Sequence, residues 1–98
     1  MEIIKSISES TLNIALQGRL DANTAPELEG VLISSLSGIT GLVFDFSELE
    51  YISSAGLRIL LIAQKKMNTQ GTMKLRGVCP AIKEILDITG FSDILTIE

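Results

Sequence analysis

Gly41-Leu42-Val43-Phe44-Asp45-Phe46 is the most apolar short run of the chain, and it combines aromatic with β-branched side chains. A run of this length and composition reads as a buried central strand. Asp45 interrupts it near its C-terminal end, and Ser47-Glu48 closes it. The following segment, Glu48–Ser53, reads as a loop, pinned to the core by Leu49, Tyr51 and Ile52. Then comes Ser53-Ser54-Ala55-Gly56-Leu57, where polar sequence gives way to an apolar helical run. Leu57, Leu60, Leu61, Gln64 and Met67 fall near helical spacing and predict a helix over Ser54–Asn68. Ile59, Ile62 and Ala63 widen its apolar surface beyond one stripe.

Outward from this strand–helix pair, the pattern repeats. Thr72–Val78 alternates, with Met73 and Leu75 on one side and Lys74 and Arg76 on the other. Pro80 opens a third helix, Ile82, Ile85 and Leu86 mark its inner face, and Gly90 stops it. Ile94–Ile97 fits a short closing strand or an extended tail. Upstream, Thr24–Ser37 reads as a helix, with Asn23 or Thr24 as cap and Pro26 in its first turn. Before it, Gly18–Asn23 reads as a loop. Thr11–Gly18 is a half-buried strand, with Leu12, Ile14 and Leu16 facing one way. Glu2–Ser8 is a further strand, and the Glu9-Ser10 turn makes the two an antiparallel hairpin.

Strands connected through helices are expected to be parallel, with right-handed crossovers. Two of the strands alternate cleanly, so one sheet face is covered and the other is not. The fold expected is α/β: a mixed four-stranded sheet of order 1-2-3-4, its N-terminal strand antiparallel and the rest parallel, with helices mainly on one face. At 98 residues, the whole chain (1–98) is expected to form one domain.

Composition narrows the function. Hydrophobic residues are 46% and charged residues 20%, as in a globular chain. The net charge of −4, with scattered basic residues, argues against a nucleic-acid partner. Lys65-Lys66 reads as a solvated helix end. Cys79 stands alone, so no intrachain disulfide forms. No histidine is present, which removes imidazole general bases, histidine metal ligands and a Ser-His-Asp triad. No metal site or cofactor is expected, and the glycines form no nucleotide-binding pattern. No stretch of 18 apolar residues and no signal peptide is evident, so a cytoplasmic protein without direct membrane insertion is expected.

On this topology Asp21, Asp45 and the Ser53-Ser54 pair collect at the C-terminal edge of the parallel strands, the usual place for an α/β site. A serine at the start of a helix is a good cap, and it is also well placed to carry a phosphate, because the helix end is positive. A carboxylate beside it could hydrogen-bond the hydroxyl before transfer. Gly56 fits close packing of the helix on the sheet.

The chain resembles the STAS domain family, which includes bacterial anti-sigma-factor antagonists. The resemblance rests on Gly18-Arg19-Leu20-Asp21, Leu42-Val43-Phe44-Asp45-Phe46-Ser47, Tyr51-Ile52-Ser53-Ser54-Ala55-Gly56-Leu57 and the Pro80–Gly90 helix. The family's central motif typically reads Asp-Ser-Ser/Thr-Gly, and its first serine accepts phosphate. Matched residue by residue, the acceptor is Ser54, Gly56 is kept, Ser53 replaces the acid and Ala55 replaces the second hydroxyl residue. The resemblance implies a non-enzymatic partner switch. The unphosphorylated protein binds an anti-sigma factor that is also a serine kinase, phosphorylation of Ser54 releases it, and a PP2C-type phosphatase resets it. Asn23, Ala55, Leu57, Arg58, Ile59 and Ile62 are the implied partner contacts. The alternative is a constitutive, unphosphorylated interaction module in a signalling or transport complex.

Overall fold

Strand β1 (Glu2–Ser8) turns back on β2 (Thr11–Leu20) through Glu9-Ser10, with Glu9 at φ 56°. The computed structural model describes the whole chain, Met1–Glu98. Helix α1 (Ala25–Ser35) leads to β3 (Gly41–Ile52), α2 (Ser54–Asn68), β4 (Thr72–Arg76) and α3 (Pro80–Ile88), and Phe91–Asp93 forms a closing 3₁₀ turn. The sheet order is β1-β2-β3-β4, with β1 antiparallel to β2 and the other pairings parallel. The expected α/β fold, mixed four-stranded sheet and strand order all hold. The tail makes a single parallel bridge, Leu75 to Ile97, against β4.

One sheet face carries the core. Leu12, Ile14, Leu16 and Leu20 of β2 lie beside Leu42, Phe44 and Phe46 of β3 and Met73 and Leu75 of β4, all buried. Leu28 and Leu32 of α1, Leu57, Leu60, Ala63 and Met67 of α2, and Ile82 and Leu86 of α3 join them in one cluster. Each large side chain so buried contributes about 1.5–3 kcal/mol relative to exposure. A one-residue slip of β3 would turn Leu42, Phe44 and Phe46 to the open face, so the register is firmly set.

Strand β3 departs from the sequence expectation. It does not end at Phe46, and Glu48–Ile52 is strand rather than loop. The pairing with β2 shifts twice: Ala15 and Gln17 face Asp45 and Glu48, and Gly18 and Arg19 face Leu49 and Tyr51. Each shift inserts one extra β3 residue, a β-bulge. The buried positions therefore run Phe46, Leu49, Ile52, at steps of three instead of two. A strict period of two cannot recognise that stretch, although the bulges return each apolar side chain to the core. Strand β2 also continues two residues further than expected, to Leu20.

The first bulge is fixed by side chains. The Asp45 carboxylate accepts hydrogen bonds from the Ser47 amide (2.9 Å) and hydroxyl, and lies 3.6 Å from the Arg76 guanidinium. Gly77 follows at φ +68°, and a Cβ there would stand 2.3 Å from the Ser47 hydroxyl. The positive φ and the close approach both require glycine, and they end β4 at Arg76 rather than at the expected Val78.

Candidate functional site at the start of helix α2

Ile52 pairs with Leu20 at the last rung shared by β2 and β3, and the Ser53 amide then donates to the Leu20 carbonyl at 2.9 Å. Ser53 is extended (φ −100°, ψ 176°), and its own carbonyl accepts the Leu57 amide as the first bond of α2. It therefore occupies the cap position, yet its side chain makes no capping bond. Its hydroxyl is turned inward, buried and without a partner. Ser54 is the first helical residue and is exposed.

The first-turn amides of a helix lack intrahelical partners, and here no side chain caps them. No acidic residue stands in this first turn, while Lys65 and Lys66 stand in the last. An anion on Ser54 would meet free amides and the positive end of the dipole. Gly56 lets the helix approach the sheet: a Cβ there would lie 2.7 Å from Leu20 Cγ and 2.9 Å from Ile52 Cγ1.

The β2–α1 segment borders this helix start, since Asp21 follows Leu20 directly. Its carboxylate is engaged in its own turn, accepting from the amides of Asn23 (3.0 Å) and Thr24 (3.2 Å) and from the Thr24 hydroxyl (3.3 Å). Desolvation pulls the Asp21 pKa up, but these hydrogen bonds and the charge of Arg19 outweigh it and hold the carboxyl below its ordinary value. Arg19 lies 4.0 Å from Asp21 and stacks over the Tyr51 ring at 4.1 Å. Asp21 is thus a turn-builder beside the site, while Thr24 holds the N-cap position of α1, one of the two residues expected there, without a side-chain capping bond.

Asp45 lies elsewhere. The expected gathering at one edge assumed that β3 ends just after Asp45, but seven further residues of β3 follow, roughly 20 Å of strand. Its pKa is lowered chiefly by the hydrogen bonds from the Ser47 hydroxyl and amide, with Arg76 adding to them. It serves the bulge and has no part at the start of α2.

The implied partner contacts divide by helix geometry. Asn23, Arg58 and Ile62 are exposed and Ala55 is half-buried. Leu57 and Ile59 are buried in the core, with Ile59 only 1% exposed, so neither offers a surface to a partner. The positions four apart, Ser54, Arg58 and Ile62, form the outward row of α2. Next to that row, α1 and α2 enclose a groove of about 650 Å³, with Ile33, Leu36, Ile62 and Lys66 among its walls. The sequence reading missed this groove. Its one signal was Ile33, a large apolar residue of α1 that is 79% exposed.

No group of three or more His, Cys, Asp and Glu side chains converges as a metal site would require. No helix is long and apolar enough to cross a membrane.

Comparison with known proteins gives a consistent answer. The family model for the STAS domain matches residues 2–98. The BtrV protein of Bordetella bronchiseptica is 32% identical over 99% of this chain and 85% of its own length. An anti-sigma-B factor antagonist of Listeria monocytogenes is 32% identical over 97% of this chain and 85% of its own. Among solved structures, the Bacillus cell fate determinant SpoIIAA in its phosphorylated form superimposes with a TM-score of 0.78, covering 99% of this chain and 91% of that one at 16% identity.

Proposed function

This chain belongs to the STAS domain family, and we propose that it is an anti-sigma-factor antagonist whose partner binding is switched by phosphorylation of Ser54. The observation that carries the reading is the state of Ser54: exposed, at the first position of a 15-residue helix, with uncapped amides beside it. Ser53, next to it, is turned inward and is not available to a kinase. The relatives named anti-sigma-B factor antagonist support the partner class.

In the proposed cycle, the unphosphorylated protein docks on an anti-sigma factor that is also a serine kinase. The outer row of α2, with Arg58 and Ile62, and the neighbouring Asn23 loop form the contact. The Ser54 hydroxyl oxygen attacks the γ-phosphorus of ATP held by that kinase, the bond to the β-phosphate oxygen breaks and ADP leaves. The hydroxyl proton goes to a base on the kinase, because this chain has no histidine and Asp21 is committed to its turn. The new group carries roughly −1.5 to −2 charges. In a partly apolar contact such a charge costs several kcal/mol unless paired, so the partner is released. A PP2C-type phosphatase hydrolyses the ester and resets the protein. The chain acts as a binding module and catalyses nothing itself.

Incubation with the cognate kinase and ATP should add one phosphate, located on Ser54 by mass spectrometry. A phosphate elsewhere, or none, counts against the reading. A constitutive module is the competing reading, favoured by Ser53 standing where the family has an acid. It predicts partner binding that is indifferent to Ser54→Asp.

A further inference from the structure

The basic residues of this chain are mostly engaged. Arg19 sits against Asp21 and Tyr51, Lys74 against Glu98, Arg76 against Asp45 and Lys83 against Asp87. Lys5 donates to the Ser35 hydroxyl at 3.0 Å. The basic side chains left without such a partner, Arg58, Lys65 and Lys66, all lie on α2, a helix with no acidic residue along its length. Of these, only Arg58 lies within a turn of Ser54.

We propose that Arg58 is the built-in counter-ion of the Ser54 phosphoryl group, pairing with it across one turn of α2. This rests on the reading that Ser54 is phosphorylated. Residues four apart on a helix have Cβ atoms about 5–6 Å apart, and an acid placed N-terminal to its base is the favourable orientation. Helical side chains lean toward the N-terminus, the direction that carries an arginine at position 58 toward position 54. Both residues are exposed, and no carboxylate on α2 competes for the guanidinium. Its fork matches the geometry of phosphate oxygens. The other charges bordering the helix start are occupied: Arg19 by Tyr51 and Asp21, and Asp21 by its turn. Lys65, eleven residues from Ser54, is about 16 Å along the axis and too far to pair. Phosphorylation therefore does two things to the outer row. It adds an anion, and it draws Arg58 back from the surface offered to a partner.

The test needs no kinase. Phosphoserine is incorporated at position 54 by genetic encoding, and its second ionisation is followed by ³¹P NMR in the otherwise unaltered full chain, in Arg58→Gln and in Lys65→Gln. Pairing predicts a pKa lower by at least about 0.2 unit in the parent than in Arg58→Gln at low salt, a gap that narrows as salt is added. Lys65→Gln should titrate like the parent. Identical curves for the parent and Arg58→Gln, or an equal shift in Lys65→Gln, overturn the pairing. Failure of the kinase to label Ser54 would instead overturn the switch and leave this measurement intact.

Discussion

The Ser53 amide donates to the Leu20 carbonyl at 2.9 Å, and this one bond fastens the start of α2 to the end of β2. It continues the β2–β3 ladder by one rung before the chain turns into the helix. The position of Ser54 is therefore set by the sheet, and the helix inherits it.

Ser53→Ala should be nearly neutral, within about 0.5 kcal/mol, where an N-cap serine ordinarily contributes about 1 kcal/mol. The Ser53 hydroxyl makes no capping bond and is buried without a partner, so its removal leaves nothing unsatisfied. Urea denaturation measures this, and a loss of 1 kcal/mol or more would show that the hydroxyl does cap α2.

Gly56→Ala should destabilise by about 1–2 kcal/mol, despite the better helix propensity of alanine. The added methyl would press on Leu20 and Ile52 at 2.7 and 2.9 Å, and both are core side chains. A lowered melting temperature, measured by circular dichroism, is the expected outcome.

Ile59→Asp and Ile62→Asp should behave oppositely although they are three residues apart. Ile59 is 1% exposed, so a buried carboxylate there should prevent folding. Ile62 is 42% exposed, so Ile62→Asp should fold within about 1 kcal/mol of the parent and weaken partner binding about tenfold or more. Thermal melts of both, with calorimetric binding of the folded one to the proposed anti-sigma-factor partner, check this. Undiminished binding by Ile62→Asp would remove the outer row of α2 from the contact.

Stability should fall on acidification below about pH 4, as carboxylates held low in the folded state take up protons. Asp45 is lowered by its Ser47 hydrogen bonds, Asp87 by those from Lys83 and Ser92, and Asp21 by its turn amides against an opposing desolvation. A carboxylate with a depressed folded pKa stabilises above its unfolded value, ordinarily 3.8, and that contribution is lost as pH falls through the folded value. Asp45→Asn should flatten this acid limb in part and leave the remainder to Asp21 and Asp87. Urea midpoints at pH 3 and pH 7 measure it, and an unchanged pH dependence in Asp45→Asn would show that the bulge does not need the ionised form.

Much of this molecule is written locally. Alternation in β2 and β4, the 3.6-residue period of α2 and the two-residue turn after β1 depend on neighbours in sequence, and they were enough to give the strand order. The single histidine-free, acid-poor serine pair at a helix start was legible for the same reason. What the local pattern cannot carry is a change of phase. The two bulges of β3 exist because β2 offers fewer residues over the same length, a relation between segments thirty residues apart. Missing them placed Asp45 beside Ser54, when the long strand holds the two well apart. Burial is likewise a tertiary quantity. Leu57 and Ile59 resemble Ile62 as apolar residues of one helix, and only the packing of α2 against the sheet and beside α1 decides that, of the three, Ile62 alone faces outward. The same packing turned Ser53 inward and Ser54 outward. The sequence determined that two hydroxyls would stand at the start of this helix, and its family likeness pointed to Ser54; the extended backbone at Ser53, tied to Leu20, is what leaves Ser54 exposed.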